Sequence, residues 1–341
     1  MHKIIDHPVH PVYPCKNISN ESWWICFDLS EQTIPPVEAL MLEHQETGLH
    51  FGKPQWLRRK LPTGPQYEQV ISLLRDGDIH TVCQEAKCPN QWECFSCKTA
   101  TFLIMGPRCT RNCRFCAVDY GPIGPPDPGE PARVADAAFK LGLSYVVVTS
   151  VTRDDLDDGG AVFFAETIRH VRDRLPDAKI EVLIPDFQGN KDALKKVVEA
   201  RPNVLNHNIE TVPSLYPSVR PGADYRCSLE LLRQVKEYDP SLITKSGLML
   251  GFGETSAELL KTLQDLVDTG CSMLTLGQYL QPSSSHLAVE RFVPPEEFDK
   301  WRETALKTGF TQVASGPFVR SSYHAGNLYL NAETDKSMVE R

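Results

Sequence analysis

Cys109, Cys113 and Cys116 lie within eight residues of one another in "GPRCTRNCRFCAVDYG", with C-x3-C-x2-C spacing and no fourth cysteine beside them. Structural zinc closes a tetrahedron of four ligands. Cubane iron–sulfur clusters usually take four cysteines, one per iron. Three thiolates from one short loop therefore leave one iron open to an exogenous ligand, and that opening is where a substrate or cofactor coordinates. A zinc knuckle that borrows Cys94, Cys97 or a histidine is the plainer alternative. Upstream, "CQEAKCPNQWEC" sets Cys83, Cys88 and Cys94 at C-x4-C-x5-C. Again three thiolates stand without an obvious fourth, a set that suits zinc or a second iron–sulfur cluster. The chain has 11 cysteines, an odd number, so they cannot all pair internally. In a reducing compartment such clusters read as metal ligands or catalytic groups rather than disulfides. Cys227 and Cys271 read as small core residues.

The elements that position these cysteines follow a rhythm. "TATFLIMG" is an apolar strand that ends just before Cys109, and "ARVADAAFKLGL" after the loop spaces Val134, Ala137, Ala138 and Leu141 as one helical face. Five further apolar strands follow: "YVVVTSV", "KIEVLIPD", "VLNHNIET", "ITKSGLMLGFGE" and "MLTLGQYLQ", each succeeded by a helical pattern. Thr255 and Glu258 form a capping box, and Gly270 stops the helix they start. Six strand–helix units with continuous apolar strands predict a parallel sheet covered by helices. Eight units would close a full barrel, so six predict an α/β fold with a partial, open (βα)6 TIM-type barrel. A doubly wound open sheet is the other architecture, but "GFGET" lacks the G-x-G-x-x-G fingerprint. Before the barrel, residues 1–53 read as an extension and 54–99 as a cysteine-bearing segment; the barrel takes 100–311, and 312–341 form a C-terminal segment. "SWWICF" suggests one short strand in the extension, and residues after Pro36 one helix.

Chemistry in parallel α/β folds gathers at the C-terminal ends of the strands. There the sequence places Thr149, Ser150, Asp154, Asp186, Asn206, His207, Asn208, Glu210, Glu254, Gln278 and Gln281. Each alone reads as a cap or a satisfied core group; together at one rim they predict a polar ligand across the barrel mouth. A zinc knuckle explains neither the barrel nor this rim.

With 341 residues, 41% hydrophobic and 23% charged, the composition is that of a globular protein. A formal net charge of -8 argues against a nucleic-acid partner. No apolar run suggests a membrane span, and the start, "MHKIIDHPVHPVYPCKN", has neither signal-peptide nor transit-peptide character. The expectation is a cytoplasmic protein with no membrane partner.

The three-cysteine loop, its place after the first barrel strand and Phe115 before the last cysteine resemble the radical S-adenosylmethionine superfamily. In that superfamily the open iron chelates adenosylmethionine, whose reductive cleavage yields a hydrogen-abstracting 5′-deoxyadenosyl radical. With "VCQEAKCPNQWECF", "VVTSVTRDDLDDGG", "NVLNHNIETV", "VRPGADY", "TKSGLMLGFGET", "MLTLGQYLQPS" and "GPFVRSSYHA", the sequence from about 54 to 326 closely resembles the lipoyl synthase family. The first fifty residues lie largely outside the resemblance, and Cys97 departs from the motif.

The resemblance implies sulfur insertion at C6 and C8 of an octanoyl chain on a carrier-protein lysine. It implies two 4Fe-4S clusters, with S-adenosylmethionine as cosubstrate. The cluster on Cys109, Cys113 and Cys116 makes the radical; the one on Cys83, Cys88 and Cys94 is the sacrificial sulfur donor. Ser322 becomes the fourth ligand of the second cluster, and Arg320 either stabilises that serine oxygen or closes the site. Ser150, Asn208, Glu210 and Arg220 are candidates to hold adenosylmethionine, with Arg220 on its carboxylate and Glu210 on its ammonium. Implied partners are octanoylated lipoyl domains of 2-oxoacid dehydrogenases or the glycine-cleavage H protein, a ferredoxin or flavodoxin as electron donor, and an iron–sulfur carrier for repair. The basic run Arg58, Arg59, Lys60 reads as a solvated face or as a guide for an acidic carrier. A biotin synthase-like enzyme would carry an Arg-ligated auxiliary cluster inside the barrel instead of an upstream three-cysteine motif. A non-catalytic metal carrier would need neither an open iron nor a barrel.

Overall fold

The computed structural model describes residues 53–58, 64–121 and 123–339. The strand and helix expected within the first fifty residues, together with Arg59 and Lys60, lie outside them. Ten strands are described, taken in chain order. β1 (His80–Thr81) pairs antiparallel with β2 (Thr101–Ile104). β3 (Arg108–Cys109) and β4 (Asp119–Tyr120) form a small parallel pair of their own around the cysteine loop. From β2 the main sheet runs through β5 (Tyr145–Ser150), β6 (Lys179–Leu183), β7 (Val204–Asn206), β8 (Ile243–Leu250), β9 (Met273–Gln278) and β10 (Gln312–Gly316), every neighbour parallel.

The six expected strands are therefore present in the expected order, and β10 adds a seventh. Among the described residues β1 and β10 end the sheet without joining, which makes it an open, partial barrel. β2 and β9 are buried at every position, as a sheet covered on both faces requires.

The helices that cover it form where the apolar periodicity predicts. α1 (Pro65–Asp76), α2 (Val82–Glu85) and α3 (Gln91–Ser96) precede the barrel; α2 and α3 carry Cys83 and Cys94. α4 (Glu130–Leu141) buries Val134, Ala137 and Ala138 and ends at Gly142, whose φ of 69° closes the helix in the left-handed region. α5 (Ala161–Arg174), α6 (Lys191–Glu199), the short α7 (Tyr216–Val219) and α8 (Tyr225–Tyr238) follow. α9 (Ser256–Asp268) starts with the expected capping box: Glu258 N–H donates to Thr255 Oγ1 at 3.3 Å and Thr255 N–H to Glu258 Oε2 at 3.0 Å. α10 (Pro295–Thr308) and α11 (Ala325–Val339) complete the order. One continuous apolar core links α1, the sheet and α4 to α10. Among the described residues no helix is long and apolar enough to cross a membrane.

Candidate active site

At the C-terminal ends of the strands opens a cavity of about 510 Å³. Its walls include Cys83 and Cys88 from one cysteine set, all of Cys109, Cys113 and Cys116 from the other, and Arg320, Ser321 and Ser322. Ser150, Asn208, Glu210 and Arg220 line it as well. Of the predicted cluster ligands, Cys94 is not on the wall. It lies behind on α3, close enough that the charges of Cys83 and Cys88 act on its thiol.

The Cys109–Cys116 loop is held by its own side chains. Thr110 donates both N–H and Oγ1 to the Thr152 carbonyl, at 3.0 and 2.9 Å, just past β5. Arg111, half-buried and between Cys109 and Cys113 in the chain, grips Asp154 (2.7 and 2.9 Å) and Asp186 (2.6 and 2.7 Å) through paired contacts to each carboxylate. Asp186 N-caps the turn 187–189 and lies next to buried His207. Burial raises its carboxyl, but the hydrogen bonds and charge of Arg111 outweigh that and hold it at about 2. His286 Nε2 donates to the Cys116 carbonyl at 3.0 Å, and its Nδ1 accepts from Ser283 at 2.8 Å. The loop after β9 thus straps over the last cysteine.

The thiols fit metal. Burial pushes Cys116 and Cys83 up to about 12, and raises Cys113 and Cys94. Without a cation these sulfurs keep their protons; an iron centre displaces them. Among the described residues no three His, Cys, Asp or Glu side chains converge on a point suited to a single ion. A cubane spreads its thiolates over separate irons. Cys109 Sγ accepts two backbone N–H groups, from Arg111 at 3.4 Å and Thr152 at 3.3 Å, which suit a charged sulfur.

Beside that loop the cavity has two complementary deficits. Burial pushes the Glu210 carboxyl up against the opposing pull of Arg220, Asn208 and Arg320, so a further cation beside it would favour its charged form. Its φ of 66° is a strained left-handed conformation for a non-glycine residue, clamped by Glu210 N–H to the Gly247 carbonyl and Met249 N–H to the Glu210 carbonyl, both 2.9 Å. Arg220 spends Nη1 on the Asn208 and Ile209 carbonyls, whereas among the described residues its buried Nε makes no hydrogen bond; neither does Ser150 Oγ. A zwitterionic amino-acid group would answer both, with its ammonium to Glu210 and its carboxylate to Arg220.

Several rim residues serve the scaffold instead. Asp154 and Asp186 hold Arg111. Asn206 turns to Glu181 inside the barrel (3.0 Å), and Glu254 accepts the N–H groups of Gly251 and Phe252 at 2.7 and 2.9 Å. Gln278 is saturated: it donates to the Leu250, Tyr279 and Arg291 carbonyls and accepts from Val293. Sequence reasoning missed the Arg111 clamp, the His286 strap and two glycines that admit the C-terminal loop. A Cβ on Gly277 would stand 2.1 Å from the Val319 carbonyl oxygen, and one on Gly247 2.5 Å from Thr275 Oγ1. Ser321 uses that room to donate to Asn208 Oδ1 at 2.8 Å.

An open parallel barrel with a three-thiol loop after the first of its parallel strands and a polar corner that carries both Glu210 and Arg220 is the architecture of a radical S-adenosylmethionine enzyme. The family model of the Radical SAM superfamily matches residues 103–266. That of the N-terminal domain of lipoyl synthase matches residues 34–88. The lipoyl synthase of Desulfotalea psychrophila is 59% identical over 84% of this chain and 95% of its own. That of Alkaliphilus metalliredigens is 53% identical over 84% and 98%, and that of Haemophilus influenzae 54% over 80% and 86%. The chain belongs to the lipoyl synthase family. Among solved structures it is similar to HydG, a maturase of the [FeFe]-hydrogenase, with a TM-score of 0.48 and 13% identity over 77% of this chain and 74% of that one.

Proposed function

We propose that the two ends of the cavity divide the family's reaction between them. The chain is a lipoyl synthase, a radical sulfurtransferase that uses 4Fe-4S clusters and S-adenosylmethionine, and its substrate is a lipoyl-domain carrier protein. When bound, the cofactors supply a 5′-deoxyadenosyl radical at one end and sulfur at the other. Cys109, Cys113 and Cys116 hold the radical-forming cluster; Ser150, Asn208, Glu210 and Arg220 hold adenosylmethionine against it. Cys83, Cys88 and Cys94, with Ser322 as fourth ligand, hold the sulfur-donating cluster, and Arg320 steadies the serine oxygen. The segment 54–99 carries the second set, and the barrel of 100–311 takes its last strand, β10, from the closing segment 312–341.

One observation carries this reading: Cys109, Cys113 and Cys116, Cys83 and Cys88 of the second set, and the Ser322 loop line the same cavity, with Cys94 close behind its wall. Unactivated C–H bonds at C6 and C8 offer no acidic proton, so no side-chain base here could functionalise them, and radical and sulfur must meet in one enclosed space. Leu183, Ile184, Leu248, Met249 and Leu280 give that space an apolar wall for the octanoyl chain and exclude water from the radical. The carrier is an octanoylated lipoyl domain of a 2-oxoacid dehydrogenase or the H protein, the electron donor a ferredoxin or flavodoxin, and an iron–sulfur carrier restores the spent cluster. Anaerobic incubation with octanoylated carrier, adenosylmethionine and reductant, followed by mass spectrometry of the carrier lysine, should reveal a lipoyl group. An octanoyl lysine left unchanged beside abundant 5′-deoxyadenosine would refute the sulfur-donor half.

A further inference from the structure

The loop 317–324 comes from the far end of the chain, yet it is fastened directly to the segment that bears Cys88 and Cys94. Asn90 Nδ2 donates to the Phe318 carbonyl at 2.6 Å. The Tyr323 hydroxyl donates to Glu93 Oε1 at 2.8 Å, and His324 Nε2 lies 3.5 Å from the same oxygen. The Tyr323 and His324 rings meet edge to face, centroids 4.1 Å apart, and His324 adopts a strained φ of 51°. Glu93 directly precedes Cys94 and Tyr323 directly follows Ser322. One hydroxyl-to-carboxylate hydrogen bond, of the stronger charge-assisted kind, therefore joins the neighbours of two residues assigned above to one cluster.

We propose that Glu93 and Tyr323 are positioning residues, a latch that holds Ser322 at the sulfur-donating cluster. The inference rests on the assignment of Ser322 as ligand. A serine oxygen is a harder and poorer partner for cluster iron than a thiolate, so its occupancy depends on how often the loop brings it there. A tether from α3 to the loop raises that local concentration. On the other flank, the Ser321 contact to Asn208 ties the same loop to the adenosylmethionine corner, so the latch need hold only its cluster side.

The test uses the anaerobically reconstituted full chain with Glu93→Ala, Glu93→Gln, Tyr323→Phe and the Glu93→Ala/Tyr323→Phe pair. Loss of this bond should lower the docked population of the loop about tenfold. Three readouts follow it: the Mössbauer signature of the iron without thiolate, hydrogen exchange across 317–324, and the ratio of lipoyl product to 5′-deoxyadenosine. Glu93→Ala and Tyr323→Phe should weaken all three alike, and the pair no further than either alone. Glu93→Gln, which keeps an acceptor oxygen but not its charge, should fall between wild type and Glu93→Ala, and 5′-deoxyadenosine formation should persist throughout. A wild-type Mössbauer signature and product ratio in both single variants would overturn the latch, as would an equal loss of 5′-deoxyadenosine formation. Ser322→Ala, measured alongside, separates the two ideas: if it too leaves the signature untouched, the ligand assignment has failed rather than the latch.

Discussion

A buried thiol near neutral pH keeps its proton, and Cys113 and Cys116 are both raised by burial. Their sulfurs become ligands only where a metal centre displaces that proton. Removal of one should therefore affect its own centre and leave the other in place. Cys113→Ala should abolish 5′-deoxyadenosine formation and lower iron from about eight to about four per chain. Cys83→Ala should lose a similar amount of iron, keep 5′-deoxyadenosine and form no lipoyl product. Iron analysis with product quantitation checks both, and lipoyl product from Cys83→Ala would remove the upstream set as sulfur source. His207 acts at the same scale without touching iron. Burial, aided by the charge of Arg220, lowers its imidazole from 6.5 to about 4. Its Nδ1 donates to the Ile184 carbonyl at 2.9 Å and its Nε2 accepts from Ser228 at 3.0 Å, so the neutral ring is satisfied. The folded pKa lies below the unfolded one, so the unfolded chain takes the proton first. This stability is complete above pH 6.5 and is lost as pH falls towards 4, about 3 kcal/mol in all. Urea unfolding of the cluster-free chain at stepped pH should show that slope, and His207→Gln should flatten it.

Between elements, the close approach of β9 to the C-terminal loop decides where Ser322 can sit. The Gln278 N–H donates to the Pro317 carbonyl at 3.3 Å, and Gly277 leaves no room for a side chain beneath Val319. The obstacle is a backbone oxygen, which cannot rotate away, so Gly277→Ala must lift the loop or bend the strand. Overpacking of this kind costs about 1–3 kcal/mol. The sharper readout is coupling: lipoyl product per 5′-deoxyadenosine should fall several-fold, and an unchanged ratio would mean the loop adjusts without moving Ser322. Such contacts explain what could be read in advance. The parallel strands and the α9 capping box are local patterns of period and spacing, and they stand as expected. β10 was absent from the expectation because "TQVASG" is short and weakly apolar, and its burial comes from pairing with β9. The Arg111 clamp joins residues 43 and 75 positions apart, which no local pattern encodes. For the same reason Asp154, Asp186 and Gln278, which pointed to a ligand only when taken together with the rest of the rim, are each spent on the frame.

For the molecule as a whole, the open barrel poses a problem that a closed one avoids: without a continuous ring of strand pairs, the strands beneath the site need another fixed reference. Lys245 on β8 and Glu181 on β6, both fully buried, supply it with contacts of 2.8 and 3.2 Å. Asn206 on β7 donates to one Glu181 oxygen at 3.0 Å and Tyr145 on β5 to the other at 2.7 Å. Burial and the Glu181 charge push the Tyr145 hydroxyl up, so it remains a donor. Four consecutive strands of the sheet thus share one carboxylate in the barrel interior, with buried Tyr329 of α11 tilted against Tyr145. Desolvation makes such a pair a poor source of net stability, but removal of one partner leaves a buried charge uncompensated. Lys245→Met should therefore cost about 3–5 kcal/mol, seen as a lower urea midpoint. Lys245→Met with Glu181→Leu should recover most of that loss, because neither charge is then stranded. If the pair serves to fix strand register rather than to add stability, the double variant should unfold at a near-wild-type midpoint yet form less lipoyl product per 5′-deoxyadenosine. The cysteine loop hangs on β5 and β6 through Arg111, while Gly247, which leaves room for the Ser321–Asn208 contact, rides on β8. A double variant with full stability and full coupling would show that the carboxylate holds nothing the strand hydrogen bonds do not already hold.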